Sequence, residues 1–370
     1  MRILLLAHAP SVHTRRWALG LAGRGHEVRL LSAHGVVGAL PDAARIVGWP
    51  LPVAALRYAS ACGAVRGELR SFHPDVTVAH FLPNYGFLAA ISGATPWMLV
   101  CWGSDLLRNA TRTPLHRARA RWTLRQAQAI HVDARNLEEA AVRLGADPDR
   151  VWTRPWGVDV DALAPVQSWI DRRASGTALR VLWTRQLEPV YDPACFIRAL
   201  GLLARMEVPF RATVAGSGPM RRALESRARG EGLGDSVSFV GWIDGATLRP
   251  LYREHDAYVS LSRSDSTSQS LLEAMAAGLV PVVSDIAGNR EWVTHRREGL
   301  LVPVGDAEAV AYALAEVSRG TEAAAMAARA RAKAASRARF SDTLEETERR
   351  LQILAGSIRA GSGPVLKEAR

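Results

Sequence analysis

The feature that most limits how this chain of 370 residues can fold is an alternation of short apolar runs with helical stretches, clearest at residues 256–293. There AYVSLS reads as a buried strand, being short, apolar and rich in Val, Tyr and Leu. Asp265 follows in a loop of Ser and Thr, Gln269 to Ala277 reads as a helix stopped by Gly278, and VPVVSD is a second strand. In a parallel sheet the loop after a strand lies at the ligand edge. The next helix points its backbone N–H groups there, which suits phosphate. Asp265 and Glu273 stand eight positions apart, the first just outside this helix and the second about one turn inside it. Carboxylates so placed can hold two hydroxyl-bearing parts of one ligand. The local pattern equally lets Asp265 precede an N-cap and Glu273 lie on a solvated helix face.

The same alternation runs along the rest of the chain. RILLLA, a helix from His13 to Gly23 and EVRLLS make a βαβ opening, so the first half reads as a doubly wound domain. Its loop, HAPSVHTRRW, lacks the G-x-G-x-x-G fingerprint, which argues against a nicotinamide enzyme. DVTVAH is a further strand, after which Asn84 and Gly86 suit a turn into a helix. WMLVCWGSDLL is a strand running into Trp102-Gly103-Ser104-Asp105, where Gly103 permits an unusual backbone and Ser104 or Asp105 can cap a helix. A polar stretch from Pro165 to Thr177 is the candidate linker, and LRVLWTRQL restarts the alternation. Arg185 ends that strand. Its planar fork can clamp a diphosphate, although most strand-end arginines form surface ion pairs. RATVAGSGP places Gly216 and Gly218 in a turn, a weak phosphate signal alone.

Charge and cysteines bear on partners and surroundings. The formal net charge is +11, and six arginines with no acid lie between Leu106 and Val132. Arg117, Arg121 and Arg125 share one helix face, with Leu115, Ala118 and Trp122 on another. That pattern fits an anionic membrane surface or a phosphorylated acceptor, or else a solvated basic face. No nucleic-acid motif accompanies it, so no specific nucleic acid is expected. Cys62, Cys101 and Cys195 have no metal or redox spacing, and the opening apolar run is too short for a leader, so a cytoplasmic home is expected.

SRSDSTSQSLLEAMAAGLVPVVSD resembles the donor-binding segment of family 4 glycosyltransferases, which have the two-domain GT-B fold. SVHTRRWALGLAGRGHEV, VWTRPWGVDVDAL and AGSGP are similar to other parts of that family's pattern. The resemblance implies two facing Rossmann-like doubly wound domains with a cleft between the halves. It assigns residues 1–165 to the acceptor side, 166–338 to the donor side, 339–356 to a helix crossing back and 357–370 to a flexible tail. It implies a retaining transfer from a nucleotide sugar to a glycan, lipid-linked or small-molecule acceptor. No cofactor or metal is expected, and the implied location is cytoplasmic or peripheral at the inner face of a membrane.

By the same resemblance Glu273 binds the ribose and Asp265 the donor sugar, while Arg185 and the turn Ser266-Thr267-Ser268 face the diphosphate. Gly216, Gly218, Gly241, Asn289 and its neighbours Gly288 and Glu291 are implied donor contacts. His13, Asn84, Trp102 and Gly103 belong to the acceptor or donor-phosphate loops, with Asp105 a candidate to orient or deprotonate the acceptor or simply to cap its helix. Three positions depart from the family pattern. Asp265 stands for the usual Glu, Trp102 for a His that sits against the sugar, and Tyr191 for a Lys on the diphosphate. A Trp cannot exchange protons as His does. These departures keep two other readings open: a sugar-nucleotide epimerase on the same fold, or a non-catalytic binding subunit.

Overall fold

A computed structural model describes residues 1–33, 54–165, 167, 169–173, 178–320 and 322–359. Most of the tail expected at 357–370 and much of the linker expected at 165–177 therefore lie outside the described residues, while 357–359 belong to a helix. The chain divides into two compact units, Met1–Pro155 with Asp342–Arg370, and Trp156–Ser341.

The first unit is built on six parallel strands, β1 (Arg2–Leu6), β2 (Glu27–Leu31), β3 (Val76–His80), β4 (Trp97–Val100), β5 (Ala129–Val132) and β6 (Val151–Thr153), in the order β2-β1-β3-β4-β5-β6. β3, β4 and β5 are buried at every position, which explains why they read as continuous apolar runs. Helices α1 (Val12–Gly23), α2 (Ala54–Phe72), α3 (Phe87–Ser92), α4 (Pro114–Gln126) and α5 (Arg135–Arg143) make the crossovers. A π-helical turn, Phe81–Gly86, stands between β3 and α3, where the sequence suggests a simple turn.

The second unit carries β7 (Leu179–Trp183), β8 (Phe210–Val214), β9 (Val237–Phe239), β10 (Ala257–Ser260), β11 (Val280–Ser284) and β12 (Leu300–Val302). Their order is β12-β11-β10-β7-β8-β9, all parallel. The helices are α6 (Trp169–Arg173), α7 (Pro193–Arg205), α8 (Arg221–Gly230), α9 (Gly245–Glu254), α10 (Gln269–Ala276), α11 (Ala287–Arg290), α12 (Ala307–Arg319) and α13 (Ala323–Arg337). On one face of the sheet Trp183 stacks on Phe196 at 5.1 Å between ring centroids. On the other, Leu271, Leu272 and Met275 of α10 pack with Tyr258 and Val283. Each such fully buried side chain contributes roughly 1.5–3 kcal/mol.

The chain passes between the units twice, after Pro155 and after Ser341, and residues close to these two points pair. Val158 N–H donates to Ala338 O (2.7 Å) and Phe340 N–H to Val158 O (3.0 Å). Gly157 sits there at φ +78, and a Cβ on it would lie 2.8 Å from Phe340 Cα, so only glycine fits. Helix α14 (Phe340–Arg359) follows, and its part from Asp342 onward belongs with the first unit. Glu348 bonds Arg24 and His26 there, Thr343 Oγ1 donates to Pro155 O at 3.0 Å, and Leu351 and Leu354 are buried.

Sheet two is pinned where its central strands β7 and β10 begin, by a buried charge. Asp256 is 0% exposed and takes the backbone N–H of Arg180 (3.0 Å) and its guanidinium (3.0 Å). Removing the carboxylate leaves the Arg180 N–H without that acceptor beside a guanidinium that is 35% exposed. Asp256→Ala should lower the unfolding free energy by about 1–3 kcal/mol. A urea midpoint matching that of the unsubstituted protein would contradict this.

Candidate active site

In an open parallel sheet a crevice forms where adjacent strands send their crossovers in opposite directions. In sheet two that point lies between β7 and β10, and the loops after these strands carry Arg185 and Asp265. The structure brings them into contact: Arg185 Nη2 lies 2.5 Å from Asp265 Oδ2, with the two side chains 12% and 20% exposed. Arg185 Nη1 donates to Ser268 Oγ (2.7 Å) and Ser270 Oγ (3.3 Å), and the guanidinium lies 4.2 Å from the centroid of the Tyr191 ring. Burial alone would lower the guanidinium's pKa. The Asp265 carboxylate and Tyr258, Tyr191 and Tyr252 offset this, leaving it raised and the group a firm cation.

Helix α10 begins here because Ser268 caps it, accepting from Leu271 N–H, and it ends at Gly278 in the left-handed region, φ +73. Ser266, Thr267 and Ser268 are buried around its start. Thr267 Oγ1 accepts from Trp292 Nε1 (3.2 Å), and Ser266 N–H is held by Asp265 Oδ1 (3.0 Å). Glu273 accepts from the Tyr252 hydroxyl at 3.0 Å, and that hydroxyl also lies 3.2 Å from Thr184 Oγ1. Tyr252, Tyr258 and Ser270 are thus part of the constellation, although no spacing rule in the sequence marks them. The apolar setting of Tyr258 in AYVSLS hides its role.

The glycines of the AGSGP turn answer first to the backbone beside them. A Cβ on Gly216 would meet Arg185 O at 2.2 Å, and one on Gly218 would meet Leu187 O at 2.5 Å. Both therefore let β8's turn lie against the loop that bears Arg185. Gly241 (φ +79) similarly abuts Arg221. Gly288 and Asn289 are expected at a strand end but lie in the short helix α11. Asn289 is buried there, its amide donating to Ser284 O (2.8 Å), so it braces the loop after β11. A Cβ on Gly288 would come 2.2 Å from Ser266 O, so α11 presses on the start of α10.

The first unit gathers a second group at the same edge of its own sheet. Trp102 packs edge-on against His13 (5.9 Å), His80 (5.9 Å) and Phe81 (6.5 Å), and Gly103 turns the chain at φ +90. Phe81 is also at positive φ, a strained conformation for a bulky residue. Asn84 lies on the neighbouring turn, its Oδ1 within 3.4 Å of the Tyr58 hydroxyl. Asp105, a candidate for acceptor chemistry, is 0% exposed. Its carboxylate accepts from the backbone N–H of Leu82, Trp102 and Leu106 at 3.0–3.1 Å. That geometry makes Asp105 the brace of the Trp102 loop. His80 and His131 are not marked by the sequence, where His80 closes one apolar strand, His131 lies inside another, and both read as core. Among the described residues no three His, Cys, Asp or Glu side chains group as metal ligands.

Both units resemble known protein families. Residues 178–319 match the family profile described as glycosyl transferases group 1, and residues 9–157 match that of the glycosyl transferase 4-like domain. A D-inositol 3-phosphate glycosyltransferase of Geodermatophilus obscurus is 30% identical over 66% of this chain and 58% of its own length. A GDP-mannose-dependent alpha-mannosyltransferase of Mycobacterium tuberculosis is 28% identical over 65% of this chain and 63% of its own. The chain thus spans about half to two-thirds of these curated relatives. The crystal structure of Anabaena HepE with UDP and glucose superposes with a TM-score of 0.79 at 17% identity, covering 95% of this chain and 99% of that one. Sucrose-phosphate synthase of Thermosynechococcus elongatus gives 0.79 at 18% identity, over 98% and 100%.

The histidine group makes the first unit sensitive to acid. Burial lowers His13 from its ordinary 6.5 to about 4, helped by Arg16, and lowers His131 to about 4. Burial, then His131 and His13, lower His80 to about 3. The unfolded chain takes up these three protons near pH 6.5, whereas the folded one resists until about pH 4, so stability is lost as pH falls between them. Asp105 acts oppositely and offsets part of this, because burial raises it to about 6 against the bonds that favour its charge. Unfolding free energy from urea titrations should decline steadily from pH 7 to pH 4.5. A flat profile would refute the buried neutral state.

Proposed function

We propose that this chain, which belongs to the group 1 glycosyltransferases with two Rossmann-like GT-B domains, moves a sugar from a nucleoside diphosphate donor to an acceptor with retention of anomeric configuration. The observation that carries this reading is the convergence of Arg185, Asp265 and Glu273 on the switch point of sheet two. A departing diphosphate gathers negative charge. Arg185 and the N-terminal N–H groups of α10 face that charge as fixed donors, which is how electrostatic catalysis lowers a barrier without covalent chemistry. Glu273, oriented by Tyr252, takes the ribose hydroxyls, and Asp265 the sugar. The named relatives differ in nucleotide, one using GDP-mannose and one holding UDP, so the reading commits to the diphosphate and not to the base.

The acceptor is a glycan, a lipid-linked sugar or a small molecule, met on the cytoplasmic side. No described helix is long and apolar enough to cross a membrane. Helix α4 offers peripheral attachment instead. It exposes Arg117, Arg121 and Arg125 beside Leu115 (77% exposed) and Trp122 (41%), and among the described residues none of these arginines pairs with a carboxylate. Such a face fits anionic lipid headgroups, each basic residue contributing about 1 kcal/mol.

Two measurements test the reading. Turnover of UDP- and GDP-sugars should be abolished in Asp265→Ala and fall by roughly 100-fold in Arg185→Ala, the scale for losing one preorganised donor; full activity in Asp265→Ala rules out its role. Separately, vesicles rich in phosphatidylglycerol should sediment the protein, and glutamate at positions 117, 121 and 125 should release it. Equal sedimentation of both forms defeats the attachment.

A further inference from the structure

In this structure Arg185 and Asp265 are each other's partners, although the donor reading assigns them to different parts of one ligand. Their charge-assisted contact of 2.5 Å is short, and the guanidinium is enclosed on its remaining sides. Tyr191 covers a face, Ser268 and Ser270 take Nη1, and Trp183 Nε1 fixes the Arg185 carbonyl at 2.8 Å. The backbone and ring plane are therefore set independently of Asp265. A guanidinium held this way can exchange one oxyanion for another at Nη2 without moving its other partners.

We infer that Asp265 is an internal competitor of the donor diphosphate for Arg185, occupying the guanidinium when the site is empty and reclaiming it as the nucleoside diphosphate leaves. This rests on the donor reading above and deepens it by giving Asp265 a second task, a positioning and release role separate from any sugar contact. Tyr191 matters to it. A lysine at that position would provide a second cation, and one carboxylate could not neutralise both. With a tyrosine there, a single cation faces a single carboxylate, so the exchange is one for one.

The sign of one substitution tests this. Removing a sugar contact leaves binding of a sugar-free nucleotide unchanged, whereas removing a competitor tightens it. Calorimetry with UDP and with GDP on the full chain should show Asp265→Asn binding its preferred nucleotide about tenfold more tightly than the unsubstituted protein, equivalent to about 1.4 kcal/mol. Asp265→Ser, which keeps an acceptor for the Ser266 N–H, should shift the same way should the asparagine form fold poorly. In an Arg185→Ala background the gain from Asp265→Asn should vanish, since a double-mutant cycle isolates the pair from the general field of a lost charge. Unchanged or weaker nucleotide binding in both Asp265 variants overturns the competition, as does a gain that survives without Arg185. If neither nucleotide binds any form, the donor reading fails and the competition falls with it.

Discussion

Everything at the strand-end crevice of sheet two depends on one buried guanidinium. Arg185 is the group toward which β7's end, the β10 loop and the first turn of α10 all send an oxygen or a ring. A cation so enclosed is tolerable because a carboxylate, two serine hydroxyls and a tyrosine ring surround it, and these partners come from segments far apart in sequence. The close glycine contacts follow from the same demand. Gly216 and Gly218 let β8's turn press on the loop that carries Arg185, and Gly288 lets α11 press on the loop that carries Asp265. The site is therefore built from backbone approaches as much as from side chains.

The first unit solves a comparable problem without charge. It packs the imidazoles of His13 at the start of α1, His80 at the end of β3 and His131 within β5 among Trp17, Trp102 and Trp152, with His131 stacked on Trp152 at 4.3 Å. Here neutrality is the condition of burial, because an imidazolium would lose its hydration without an anion to replace it. Asp105 beneath them is tied to three backbone N–H groups, which makes it a support of the loop and takes it away from exposed chemistry.

Much of this was legible in the sequence, for identifiable reasons. Parallel strands buried on both faces leave uninterrupted apolar runs, so β3, β4, β7 and β10 announce themselves. The stop at Gly278 did the same for α10. The pairing of Arg185 with Asp265 was not legible, since it joins residues 80 apart and depends on which strands adjoin. Tyr252 was invisible because its hydroxyl partner, Glu273, lies on another helix. Asn289 was misplaced at a strand end because its burial against Ser284 follows from the tertiary position of α11, not from any local pattern. The units divide after Pro155, whereas the polar composition that suggests a linker begins ten residues on.

The paired backbone at Val158 and Arg339 has an architectural consequence. The second unit enters and leaves at a single clasp, so it is topologically a cassette set into the first unit, not a bead threaded after it. A segment with adjoining termini can be excised, permuted or exchanged for a homologous one by cutting at two neighbouring points. Evolution can thus replace the second unit while leaving the first unit's sheet and its closing helix intact.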